Sequence, residues 1–151
     1  MNGYLTIIDK IKSQLESEEF VNSITEGSLF DVDFNKITIF PLVHIIVNNF
    51  TFDERTITCN LSILAMDNVD VSTEQITDDF VGNDNVQWVT NTTLLILNRL
   101  YQQLKRGDLY DDGFQVLDTA NVEPFQERFE NLIAGNTMTL DVVFQNDMSI
   151  C

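Results

Sequence analysis

The sequence predicts an α+β domain: a mainly antiparallel sheet of about four or five strands with two helices packed on one face, in the order α-β-β-α-β-β. Three runs carry that prediction. RTITCNLSILAM alternates Ile57, Cys59, Leu61, Ile63 and Ala65 with Thr58, Asn60 and Ser62, the period of two of a half-buried strand. From Val86 to Lys105, Val86, Val89, Ile96, Leu100 and Leu104 recur at helical spacing. Near the end of the chain Met138, Leu140, Val142 and Phe144 alternate with Thr139, Asp141 and Val143, which predicts a closing strand.

The elements follow in chain order. Leu5, Ile8, Ile11 and Leu15 repeat every three or four residues between Tyr4 and about Phe20, with Lys10, Lys12, Gln14 and Glu16 on other faces, so the chain opens on an amphipathic helix. Glu26 to Asn35 holds Gly27 and two Asp residues and reads as a loop. The β-branched and aromatic run KITIFPLVHIIVNNFTF predicts a strand from about Leu42 to Phe52, with Pro41, which has no N–H to donate, at its start or at a bulge. So few residues separate Phe52 from Ile57 that an antiparallel hairpin is the economical connection.

Asp67 to Asp84 has no sustained period and reads as a long acidic surface loop, with Gly82, Asn83 and Asp84 capping the following helix. Lys105 and Arg106 complement the dipole at that helix's C-terminus, and Gly107 supplies a left-handed cap. Trp88, Leu94, Leu95, Leu97 and Tyr101 widen its apolar face beyond what one sheet contact needs, which points to a second contact such as another subunit; for Trp88 the competing reading is a simple core residue. Phe125, Phe129 and Leu132 fit a helix, while Phe125, Phe129 and Ile133 also fit a strand, and periodicity leaves both open. Ala134 to Thr137 reads as a turn, which favours a second hairpin.

At 151 residues and 44% hydrophobic composition, residues 1–151 fit a single domain that builds its core without disulfides or metal. Eleven Phe residues and abundant Ile, Val and Leu set the chain apart from disordered acidic sequences. The 24 acidic and 8 basic residues give a formal net charge of −16, a field that repels phosphate backbones and disfavours ordinary or sequence-specific nucleic-acid binding. No Lys or Arg lies between Arg55 and Arg99, whereas Asp67, Asp70, Glu74, Asp78, Asp79 and Asp84 crowd that interval. No apolar run approaches the roughly 20 residues of a membrane span, and the first residues do not resemble a secretory signal, so a cytoplasmic origin is expected. Cys59 and Cys151 fit reduced thiols.

No catalytic chemistry is expected. His44 is the only histidine, sits in a strand run without a local partner, and is expected to be structural. Neither cysteine stands near a second Cys or His at zinc-ligand spacing, so no metal is expected there. Asn68, Asp70, Ser72 and Glu74 invite a calcium reading, but the loop lacks the glycine at the sixth and glutamate at the twelfth position of a calcium-binding loop. Asp78–Asp79 and Asp111–Asp112 flank glycines, where turn and capping roles are usual. There is no phosphate-binding glycine loop, and no cofactor is expected.

The segments FPLVHIIVNNFTFDERTITCNLSILAMD, VQWVTNTTLLILNRLYQQL and VEPFQERFENLIAGNTMTLDVVFQND, in this order, resemble the tail-terminator and tail-completion subunits of tailed bacteriophages. The last is similar to a recurring ending of neck-region proteins in Bacteroidetes-infecting phages. The resemblance spans most of the chain and rests on element order and soft patterns. It implies a non-enzymatic virion protein of the neck or tail, made in the host bacterial cytoplasm and forming a six-fold or twelve-fold homo-oligomeric ring. Such a ring joins adjacent neck, portal or tail proteins, and DNA passes through its lumen. Heterologous ring contacts need two different surfaces; the candidates are Phe50, Phe52, Asp53, Glu54 and Arg55 on the hairpin and Trp88 and Tyr101 on the long helix. Asp67, Asp70, Glu74, Asp78, Asp79 and Asp84 are candidates for an acidic lumen or partner surface. Two other classes compete: a free acidic DNA mimic that inhibits a nucleic-acid-binding host protein, and an enzyme with dispersed carboxylates.

Overall fold

The computed structural model describes residues 3–27, 40–68, 86–106 and 113–146. Their order is α1 (Gly3–Glu16), β1 (Ser23–Glu26), β2 (Leu42–Phe52), β3 (Thr56–Asn68), α2 (Val86–Arg106), β4 (Gln115–Gln126) and β5 (Ile133–Gln145). The strands form one sheet in the order β1-β2-β3-β5-β4, antiparallel except for the β1–β2 pair at one edge.

The class is α+β with a mostly antiparallel sheet, and both helices pack on the same face. Ile57, Cys59, Leu61, Ile63 and Ala65 of β3 and Met138, Leu140, Val142 and Phe144 of β5 form one cluster with Ile7, Ile8, Ile11 and Leu15 of α1 and with Ile96, Leu97, Leu100 and Leu104 of α2. Each fully buried Leu or Ile contributes about 1.5–3 kcal/mol, so this face holds most of the apolar stabilisation. On the opposite face Phe40, Leu42, Leu64, Met66, Phe125 and Ile133 form a smaller cluster at the end remote from the β2–β3 turn. Nearer the turn that face is polar: Asn48 Nδ2 donates to Asn60 Oδ1 (2.7 Å) and Ser62 Oγ (2.8 Å), and Asn60 Nδ2 donates to Asp141 Oδ1 (2.7 Å).

Among the described residues the expected order α-β-β-α-β-β is corrected by β1, which makes it α-β-β-β-α-β-β. Ser23–Glu26 is too short to display a period, and its strand character comes from pairing with Leu42–Ile45 rather than from its own composition. The first helix stops at Glu16 instead of near Phe20. There the Ser17 hydroxyl turns back to the Gln14 carbonyl at 2.6 Å, and Glu18 is buried against Arg99 of α2 at 2.9 Å.

The expected turn at Ala134–Thr137 is also corrected, because all four residues lie inside β5 and pair with Asp67 to Leu64 of β3. Gly-Asn is a common turn pair, but each residue serves another purpose here. A Cβ on Gly135 would strike the Ala65 carbonyl oxygen and lie 2.8 Å from Met66 Cα, so glycine permits the close approach of β3 and β5. Asn136 is buried and donates to the Thr90 carbonyl and the Thr93 hydroxyl of α2, both at 2.9 Å. Phe125, left open between helix and strand, is in β4, and Ile133 begins β5; residues 127–132 lie outside the described residues. The long strand at Leu42–Phe52 forms as its β-branched and aromatic composition predicts, and the long helix from Val86 as its periodicity predicts.

Candidate interaction surfaces

The β2–β3 hairpin tip is closed by local and cross-strand hydrogen bonds. Its turn closes through Asp53 N–H to the Thr56 carbonyl (2.9 Å), while Glu54 N–H is held by Asp53 Oδ1 (2.6 Å). The end of β5 braces it, since Asn146 N–H donates to the Arg55 carbonyl (2.9 Å) and Asn146 Nδ2 to the Asp53 carbonyl (3.2 Å). A bulge between Val47 and Asn49 shifts the register, so that even-numbered residues beyond it face the helices. Phe50, opposite buried Cys59, is thereby turned toward α1, where its ring meets Tyr4 edge-on at 5.5 Å. Phe52, one alternation further out, has no such cover and is 77% exposed, with Asp53, Glu54 and Arg55 exposed beside it.

The second surface is the flank of α2 that does not reach the core. Trp88 is 56% exposed, so its core reading is set aside, and Leu94 and Leu95 are 43% and 38% exposed. Asn91, Leu94, Leu95, Asn98 and Tyr101 of α2 form one wall of an open groove of about 540 Å³, and Thr119, Ala120, Val122 and Met138 form the other. Thr119 and Ala120 fall where β4 loses register with β5, between Leu117 and Asn121. Lys105 lies beside Tyr101, with Nζ 2.9 Å from the phenol oxygen and 5.3 Å from the ring centre.

The sequence-selected interface residues therefore do not form one patch. Thr90 and Thr93 are tied to Asn136, which pairs with Ala65 far along β3 from the hairpin turn, so Trp88 and the tip lie toward opposite ends of the sheet. Tyr101 joins the groove, while Phe50 is partly engaged by Tyr4. Leu94, Leu95, Asn91 and Asn98 complete the second surface; the first two were legible as surplus apolar positions on the helix, the asparagines were not. Of the acidic candidates, Asp67 lies half-buried one residue before the end of β3, with one oxygen accepting Asn68 N–H at 2.8 Å, and burial raises its carboxyl above the usual range. Asp70, Glu74, Asp78, Asp79 and Asp84, like the calcium-type loop they belong to, lie outside the described residues.

His44 is fully buried in β2, where Nε2 is 2.9 Å from the Gly27 carbonyl and Nδ1 is 2.6 Å from the Thr25 hydroxyl. The carbonyl can only accept, so Nε2 carries a hydrogen; in the neutral ring Nδ1 then accepts from the Thr25 hydroxyl, and the buried ring ties β2 to β1 and to the residue that follows it. Among the described residues no group of three or more His, Cys, Asp or Glu side chains could hold a metal ion, and no helix is long and apolar enough to cross a membrane. No family model matches the chain, and no curated protein does.

Two acids of high pKa, the buried Cys59 and the partly covered Tyr4, tie stability to alkaline pH. Burial, then the hydrogen bond to Glu26 and its charge, push the Tyr4 phenol up to about 12, and burial followed by the charge of Asp141 pushes the Cys59 thiol up to about 11. Both pKa values are raised on folding, so the contribution is complete below the unfolded values of 9.0 and 10.0 and is lost as pH rises through 11 and 12. Thermal melts from pH 8 to pH 12 should show this loss, and Tyr4→Phe should flatten its upper part. Identical alkaline profiles for the two proteins would contradict the assignment to Tyr4.

Proposed function

We propose that this chain is a structural subunit that assembles with copies of itself into a ring in the neck or tail top of a tailed-phage virion, joining head connector to tail. The observation that carries the reading is a pair of unlike surfaces on one rigid sheet: a braced tip exposing Phe52 and an apolar groove flanking α2. A subunit with one such surface for each neighbour makes heterologous contacts, and heterologous contacts close into rings when the rotation permits.

The acidic excess fits the same role. A lumen of the same sign as DNA repels the backbone and lets a genome pass without sticking. In this reading Asp67, Asp70, Glu74, Asp78, Asp79 and Asp84 line that lumen; finding them on the outer rim of an assembled ring would remove the lumen role and leave them to pair with basic neighbours.

Protein composition of purified particles tests the function. The chain is expected in intact virions at a fixed, ring-like copy number. Its absence from particles, together with salt-sensitive binding to a basic nucleic-acid-binding protein, would instead make it a free acidic DNA mimic.

A further inference from the structure

We propose that the groove between α2 and β4 is the seat for the hairpin tip of a second copy, with Phe52 entering the groove and Asp53 and Glu54 lying against Lys105 and Arg106. The inference rests on the self-assembly reading and names the contact that produces it.

Charge complementarity singles out the occupant. Across its 21 residues α2 contains no Asp or Glu; Arg99 is paired with Glu18 of α1, and Lys105 and Arg106 end the helix, in a chain with 8 basic and 24 acidic residues. Among the described residues that line the groove none is acidic. A partner seated there meets an apolar trough and a cation, Lys105 beside Tyr101. The tip offers the matching pattern, an exposed phenyl ring followed immediately by two exposed carboxylates. Aromatic anchors in desolvated pockets with charged rims are the usual source of interface energy and orientation.

The tip cannot reach the groove of its own chain. It belongs to β2 and β3, while the groove lies over β5 and β4, and Asn146 fixes the turn where it stands. A tip seated there must come from another molecule, which makes the contact head-to-tail. Because the bracing is already present in the single chain, little ordering entropy is lost on docking. Nucleic acid is a poorer occupant, since the chain as a whole carries −16 and repels a phosphate backbone before α2 could engage it.

Two exposed substitutions, Phe52→Asp in the tip and Leu94→Asp in the groove, separate the partners without touching the core. Native mass spectrometry of the full chain should show a closed oligomer for the wild type and single chains for each variant, with circular dichroism unchanged. An equimolar mixture of the two variants should give a heterodimer and nothing larger, because only one intact tip and one intact groove remain to meet. Reversing Lys105 and Arg106 to Glu should disperse the oligomer, and adding Asp53→Lys and Glu54→Lys should restore it. If the wild type assembles and both Asp variants still assemble, the seat is wrong while self-assembly stands, and the groove is covered by the chain itself or is not an interface. A wild type that remains a single chain at every concentration overturns the self-assembly reading and this contact together. Binding of a double-stranded DNA oligonucleotide that Lys105→Glu and Arg106→Glu abolish, with assembly unaffected, would hand the surface to nucleic acid and overturn the proposal.

Discussion

Replacing Gly135 with alanine is expected to remove about 3 kcal/mol or more of stability, the upper range for overpacking a rigid site. The added methyl would meet backbone atoms, the Ala65 carbonyl oxygen and Met66 Cα, which cannot rotate away as a side chain does. Relief would require β3 and β5 to separate where Met66 pairs with Gly135, within the longest ladder of the sheet. The neighbouring pairs Ala65–Asn136 and Asp67–Ala134 would open with it, loosening the anchor of α2. Urea unfolding followed by circular dichroism measures the effect; an alanine variant within about 1 kcal/mol of wild type would show that the two strands have room to spare.

Asn136→Asp is nearly isosteric and is expected to cost about 3 kcal/mol or more at neutral pH. The amide nitrogen faces the Thr90 carbonyl at 2.9 Å, and a carboxylate oxygen in its place would set a buried negative charge against an acceptor. The Thr93 hydroxyl could donate to the new carboxylate only by releasing the Val89 carbonyl, to which it now donates at 2.8 Å. Burial and the facing carbonyl raise the pKa of the introduced acid above its unfolded value of about 3.9. The variant therefore keeps most of its stability below that value and loses it as pH rises through the folded pKa. Unfolding midpoints of variant and wild type should converge toward pH 5 and diverge toward pH 8. A difference that does not change with pH would mean that the site admits enough water to solvate the charge.

The contrast between these two positions and the rest of the chain explains which parts of the fold were readable. β3 and α2 bury a continuous face, so Leu61, Ile63, Ile96 and Leu100 recur at the period of their elements, and tertiary structure adds nothing that contradicts the pattern. Ser23–Glu26 lacks that face; it is a strand only because β2 lies beside it. Gly135 and Asn136 carry turn chemistry in isolation but are fixed by neighbours distant in sequence, Ala65 and Thr90, which no local window contains.

The interaction surfaces divide in the same way. The surplus apolar width of α2 and the aromatic end of the hairpin were visible as Trp88, Leu94, Leu95, Phe50 and Phe52. Their separation toward opposite ends of the sheet depends on the antiparallel run of β3 and on the Asn136 anchor. The bulge at Asn48, which turns Phe50 onto Tyr4 and leaves Phe52 outside, follows from pairing and has no signature in composition. The absence of acid throughout Val86–Arg106 was legible but gains meaning only once the groove beside it is seen.

The virion role is tested most directly by quantitative protein composition of purified particles, measured against a capsid component of known copy number. A ring subunit should be present at a constant six or twelve copies per particle, as the resemblance to tail-completion proteins implies, through repeated purification. A chain that is missing from intact particles, or that varies in amount from one preparation to the next, contradicts a place in the neck ring.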